Sequence, residues 1–170
     1  TYVDTGTGFQ IVETDPIGTA GVTDYDANGR VVRVARRGSP DTLSTYDRAG
    51  NLQTSTQGLD STTFTYDALN RLASRVDAAG NTVRFTYDVN GNLLTQRDAL
   101  GNTVTHGYNA LNRRTSTQSP LGAIATTAYD AAGNMTQARD YAGNLTTYSY
   151  DASNRRLTDT DAWEIGRAHV

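Results

Sequence analysis

Tyr87-Asp88-Val89-Asn90-Gly91-Asn92-Leu93 decides the fold, because the chain rewrites this heptad six more times. Earlier copies are Tyr25-Asp26-Ala27-Asn28-Gly29-Arg30-Val31, Tyr46-Asp47-Arg48-Ala49-Gly50-Asn51-Leu52 and Tyr66-Asp67-Ala68-Leu69-Asn70-Arg71-Leu72. Later ones are Tyr108-Asn109-Ala110-Leu111-Asn112-Arg113-Arg114, Tyr129-Asp130-Ala131-Ala132-Gly133-Asn134-Met135 and Tyr150-Asp151-Ala152-Ser153-Asn154-Arg155-Arg156. The seven tyrosines stand 21, 20, 21, 21, 21 and 21 residues apart. So strict a period means one supersecondary unit copied in tandem.

The unit from Asp77 to Asp98 reads as two strands and two turns. Asp77-Ala78-Ala79-Gly80-Asn81 is turn chemistry, since Asp bonds the backbone two residues on and Gly or Asn accepts positive φ. Thr82 to Tyr87 alternates, with Val83, Phe85 and Tyr87 on one face and Thr82, Arg84 and Thr86 on the other, which is strand periodicity in strand-forming residues. Asp88 to Asn92 turns again, and a second strand covers about Leu93 to Arg97 before the next turn at Asp98. The aspartate ten residues before the tyrosine recurs as Asp15, Asp98 and Asp140 and becomes Ser119 once. Pro16, Pro40 and Pro120 all fall in turn registers, outside the predicted strands. No 3.6-residue periodicity is present, so no helix is expected. The fold class is all-β: tandem hairpins of about 21 residues forming a curled antiparallel sheet. One hairpin cannot bury its own apolar face, so repeats must pair edge to edge.

Bulk composition narrows the function. Leu, Ile, Val and Phe total 30 of 170 residues, a level that leans toward disorder, but their fixed place in each repeat overrides that lean. The net charge is −3, and all 15 cationic side chains are arginine, with no basic patch to form a nucleic-acid groove. No apolar run reaches the ~18 residues of a membrane span. Cysteine is absent, and the residues from Thr1 onward show no charged-then-apolar leader, so no targeting signal is visible.

Tyr-Asp-x-x-Gly-Asn/Arg-Leu followed by Asp-x-x-Gly-Asn, repeated over residues 10 to 163, resembles the RHS or YD repeat (rearrangement hotspot). The resemblance implies that the sheet is one arc of a hollow β-cocoon. Bacterial polymorphic toxins and insecticidal toxin complexes use such a shell to enclose a C-terminal toxin, and animal teneurins carry a related shell in an adhesive ectodomain. It implies a secreted or cell-surface protein whose partner is its own C-terminal toxin or cargo domain. The alternative it leaves open is a recognition module that binds glycan or protein through a tyrosine-rich face. No Asp-Pro-x-Gly-Leu boundary motif, self-cleaving aspartate site or toxin domain is found within the chain.

Residues 1–9 read as a degenerate copy, from Tyr2-Val3-Asp4-Thr5-Gly6. The array of seven copies then runs over 10–163. Residues 164–170 break the pattern: Glu164 and Ile165 stand where Gly and Asn are due. Ile165-Gly166-Arg167-Ala168-His169-Val170 back-translates to ATC GGA AGA GCA CAC GTC, which resembles a sequencing adapter, so this tail is expected to be non-native.

Sites of chemistry are expected to be absent: no catalytic, cofactor-binding or metal-binding residue is assigned. His106 occupies the slot filled by Phe64, Phe85 and Tyr148 in sister repeats and reads as packing. The turn aspartates could attract calcium, but each turn offers one carboxylate and turn formation explains it. Glu13 and Glu164 are the two glutamates, too few for a paired-carboxylate cleft. Arg30, Arg71, Arg113 and Arg155 read as a solvated row, and the tyrosines as a packed spine.

Overall fold

The computed structural model describes residues 1–161, apart from the side chain of Thr19. The expected non-native tail at 164–170 lies outside the described residues. By its internal contacts the chain divides into two units, Thr1–Arg84 and Phe85–Val170, and the division falls inside one strand.

The first unit holds β1 (Tyr2–Asp4), β2 (Gly8–Asp15), β3 (Gly18–Asp26), β4 (Val31–Arg36), β5 (Ser39–Tyr46), β6 (Leu52–Gln57), β7 (Asp60–Tyr66) and β8 (Leu72–Val76). The first half of β9 (Thr82–Tyr87) pairs with β8. The second unit takes the rest of β9, then β10 (Leu93–Arg97), β11 (Thr103–Tyr108), β12 (Arg114–Gln118), β13 (Ile124–Tyr129), β14 (Met135–Arg139), β15 (Leu145–Tyr150) and β16 (Arg156–Asp161). In each unit the strands lie side by side in chain order, and neighbouring strands, such as β7 with β8 or β13 with β14, pair antiparallel. There is no helix among the described residues. Both strands of the Asp77–Asp98 unit, β9 and β10, fall where the alternation puts them.

Where a strand ending in a repeat tyrosine pairs with the strand after it, the ladder slips at the tyrosine. Thr45 pairs with Thr54 but Tyr46 pairs with Leu52, so Gln53 is an extra residue. The same slip occurs at Tyr25, Tyr66, Tyr108, Tyr129 and Tyr150. A bulge of this kind adds local twist and re-aims the side chains beside it.

The face periodicity is real but shallow. In β9, Val83, Phe85 and Tyr87 are half-buried while Arg84 and Thr86 are exposed. No apolar side chain among the described residues is fully buried. The tyrosine spine is therefore half-buried, because a single sheet has no second layer to cover its apolar face. The opposite face carries hydroxyl pairs one step before the bulge: Thr45 with Thr54 at 2.7 Å, Thr65 with Ser74 at 2.7 Å, Thr86 with Thr95 at 2.6 Å and Ser149 with Thr158 at 2.6 Å. Cross-strand hydroxyl pairs of this sort tie neighbouring strands.

Pro40 corrects one expectation: it is the second residue of β5, not a turn residue. It is tolerated because the β4–β5 ladder is irregular there, passing from Val34 opposite Thr42 to Arg36 opposite Ser39. The turn before β5 is thus only Arg37-Gly38, shorter than the five-residue Asp-x-x-Gly-Asn form. Pro16-Ile17 and Gly58-Leu59 make similarly short turns.

Candidate interaction surface

The tyrosine-aspartate turns line one edge of each unit, and they are built alike. In the turn after Tyr46, the Gly50 N–H donates to the Asp47 carbonyl at 3.1 Å, and the Asp47 N–H donates to the Asn51 carbonyl at 2.8 Å. Asp47 Oδ1 accepts the Asn51 N–H at 2.9 Å, and Oδ2 accepts the Asn51 side-chain amide at 3.0 Å. Where arginine replaces that asparagine, its Nε reaches the same oxygen: Arg30 to Asp26, Arg71 to Asp67 and Arg155 to Asp151, each at 2.7 Å. These arginines are therefore held in their own turns rather than forming a free basic stripe. Positive φ falls on glycine in one kind of turn and on Asn70, Asn112 and Asn154 in the other.

Nine turn aspartates hold their carboxyls below the ordinary 3.8. The asparagine side-chain amide is the largest cause for Asp47, Asp77, Asp88, Asp98, Asp130 and Asp140. The arginine backbone N–H is the largest for Asp26, Asp67 and Asp151. Donors thus sit where a calcium ion would need free oxygens. Among the described residues no group of three or more His, Asp or Glu side chains is placed to hold a metal.

The repeats are stitched together through the tyrosines. In five repeats the hydroxyl donates to the carbonyl of the residue that follows the preceding repeat's turn. Tyr46 reaches Val31 at 2.7 Å, and Tyr66 reaches Leu52 at 3.0 Å. Tyr108 reaches Leu93 at 3.0 Å, Tyr129 reaches Arg114 at 2.9 Å and Tyr150 reaches Met135 at 2.9 Å. The acceptor is the residue at the preceding bulge, where the ladder is locally disrupted. Burial, then the neighbouring charge of Asp47, pushes the Tyr66 phenol up, so it stays a donor.

A second, alternating contact runs along the same edge. The Asn51 amide donates to Asn70 Oδ1 at 2.9 Å, Asn92 to Asn112 at 2.8 Å and Asn134 to Asn154 at 2.9 Å. The arginine-ending turns use a different link: Arg30 lies over the Tyr46 ring and Arg113 over the Tyr129 ring, both 4.7 Å from the centroid. Arg113 also donates to the Asp130 carbonyl at 3.2 Å. A Cβ added to Gly133 would stand 3.3 Å from that guanidinium, so glycine there serves packing as well as φ. Turn chemistry therefore alternates over two repeats. The signal was present in the heptads as Gly-Asn, Asn-Arg, Gly-Asn, Asn-Arg, although its cross-repeat meaning needs the paired strands.

One turn is flawed. Asn109 replaces the aspartate, and its Oδ1 still accepts the N–H groups of Leu111 and Arg113 at 3.0 Å. Its other arm is an NH₂ donor, so Arg113 Nε is buried without an acceptor.

The residues weighed for chemistry fall apart in space. His106 is half-buried opposite Thr117, its Nδ1 3.1 Å from that hydroxyl, and burial followed by the nearby Arg114 charge lowers its pKa. Glu13 is exposed, 3.6 Å from Arg36. Asp15 accepts the Ile17 N–H at 3.0 Å. Glu164 and His169 lie outside the described residues. An open groove of about 420 Å³ beside β12–β14 is lined by Arg114, Ser116, Thr117, Thr127, Asp140 and Tyr141.

Comparison with solved structures places this geometry. The chain is similar to the crystal structure of TcdB2-TccC3 without hypervariable C-terminal region, at 14% identity and TM-score 0.66, covering 95% of this chain and 11% of that one. It is likewise similar to TcdB2-TccC3-Cdc42, at 15% identity, TM-score 0.66 and coverage of 94% and 11%. A third structure, TcdB2-TccC3, matches at 16% identity and TM-score 0.52, covering 92% and 12%. At such identities the likeness is one of fold, and the chain spans about a tenth of those polypeptides. No curated protein sequence matches it. The family model described as RHS Repeat matches residues 46–82, 66–100, 87–124 and 129–162, about two thirds of the chain. With that match and the same tyrosine turn built in repeat after repeat, the chain belongs to the RHS repeat family.

Proposed function

We propose that the chain is a structural wall segment, one arc of an RHS shell that encloses a C-terminal toxin or cargo domain. The observation that carries this reading is the stitching itself: five repeats are tied to the ones before them by a tyrosine hydroxyl on a bulge carbonyl, while no apolar side chain among the described residues is buried. Such a sheet gains its order from neighbours along the array, as a wall does, and not from a closed core. The array is taken as residues 10–163, with 1–9 a decayed copy and 164–170 foreign to it. The reading assigns no catalysis to the wall, and export to the outside of the cell goes with it. One of the similar structures is described as lacking a hypervariable C-terminal region, which supports a variable domain beyond the repeats.

The recognition alternative needs tyrosine hydroxyls that face a ligand. At least five repeat hydroxyls are donated inside the sheet, so the wall is the reading preferred. The test is limited proteolysis of the complete gene product, recovered by resequencing the locus through the Glu164 codon. A C-terminal domain that resists protease until the repeats are cleaved supports enclosure. A domain cut as fast with the repeats intact, or a frame that ends at Val170, overturns it.

A further inference from the structure

We infer that the β11–β12 hairpin is an acid-released seam in the sheet, with His106 as its trigger. Three departures from the repeat meet on this one hairpin. His106 takes the slot of Phe64, Phe85 and Tyr148, Gly107 takes the slot of Thr65, Thr86 and Ser149, and Asn109 replaces the turn aspartate. Ser116 stands opposite Gly107 with no hydroxyl to meet, and its own Oγ lies 2.4 Å from where a Cβ on Gly107 would stand. The turn between the strands leaves Arg113 Nε without an acceptor. The hairpin thus lacks two ties that β15–β16 has in the same unit, the Ser149–Thr158 hydroxyl pair and the Arg155–Asp151 bond.

Two repeats on, Tyr148 and Arg156 hold the slots of His106 and Arg114, and the Arg156 guanidinium lies over the Tyr148 ring, 4.9 Å from its centroid. Asp159 pairs with Arg156, but the equivalent Thr117 is uncharged and offers His106 Nδ1 a hydroxyl at 3.1 Å. A neutral ring suits a neighbouring guanidinium, whereas an imidazolium sets cation against cation. The other strands supply no offset. On β10 the charged side chain is Arg97, on the residue opposite Thr103. On β11 Tyr108 gives its hydroxyl to the Leu93 carbonyl, and in the turn Arg113 is engaged with the Tyr129 ring and the Asp130 carbonyl. Burial, then the Arg114 charge, holds the His106 pKa below its ordinary 6.5. Folding therefore favours the neutral imidazole, and stability present above 6.5 is lost as pH falls toward the depressed folded value. Asp130 and Asp140 are held below 3.8 and stay ionised in that window, so the seam loosens before the turns around it. The inference goes beyond the wall reading, because the seam belongs to the hairpin whether or not the array encloses cargo.

The experiment is amide hydrogen exchange of the full chain by NMR at about pH 7.5 and about pH 5, corrected for the intrinsic effect of pH on exchange. Protection of the β11–β12 amides should fall about fivefold between the two, with the β13–β14 ladder of the same molecule as the unchanged reference. His106→Phe, the residue that two other repeats carry in this slot, should abolish the fall. Thr117→Asp, which gives Arg114 the partner that Arg156 has, should cancel it while keeping the histidine. No fall in the unaltered chain overturns the inference, as does one shared equally by β13–β14. A fall that survives His106→Phe overturns it too.

Discussion

The two turn edges of the sheet share one backbone task and solve it with different consequences. On the tyrosine edge, side chains reach across repeats: hydroxyl to carbonyl, amide to amide, guanidinium to ring. On the opposite edge the turns vary in length, from two residues at Arg37-Gly38 to the Asp77–Asn81 form. Their tips hold apolar residues in solvent, with Leu59 100%, Leu121 97% and Leu100 88% exposed. The edge that links repeats admits few residue types at each place, whereas the edge that only reverses the chain admits many. Repetition in this protein is strict where a side chain must meet its counterpart in the next copy.

Acid strikes what the two edges share, since six of the nine turn aspartates follow a repeat tyrosine and Asp77, Asp98 and Asp140 lie on the opposite edge. The nine turn aspartates have folded pKa values below 3.8, so they stabilise the fold at pH above that value. The contribution is lost as pH falls through the depressed folded values. Circular dichroism should show the strand signal stable above about pH 4 and collapsing below it. Retention of full structure at pH 2 would mean the carboxylates are dispensable.

Single substitutions follow in order of size. Tyr108→Ala removes a half-buried ring and its hydroxyl bond and should cost about 2 kcal/mol in urea denaturation. Tyr108→Phe keeps the ring and should cost about 1 kcal/mol, which isolates the bond to the Leu93 carbonyl. Asn109→Asp should move the other way, gaining about 1 kcal/mol at pH 7 by giving Arg113 Nε the acceptor that Arg71 already has in Asp67. That gain should be lost in acid, as pH falls through the depressed value of the new carboxyl. Leu59→Ser, at a fully exposed tip of the other edge, should change stability by less than about 0.5 kcal/mol. A large loss there would show that the second edge is also an adhesive one.

Much of this was legible in the sequence because local rules governed it. Thr82 to Tyr87 alternates and forms β9, and Asp88 to Asn92 carries its turn in the choice of Asp, Gly and Asn. His106, read as packing because sister repeats hold aromatics in its place, lies half-buried opposite Thr117. Pro40 was misplaced, since a shortened turn moved the strand start without changing the period. The tyrosine-to-carbonyl bonds were hidden because their acceptors are backbone atoms, which every residue possesses.

The chain by itself therefore determined the hairpin, its length and its turns, since each depends on residues only a few positions apart. Tertiary structure alone decided what the tyrosines do. The slip at the tyrosine places a bulge carbonyl 14 or 15 residues back within reach of the next repeat's hydroxyl. Pairing then brings unlike turns together, so that asparagine meets asparagine and arginine meets tyrosine. Those contacts join residues of different repeats, and such contacts exist only once the strands lie side by side.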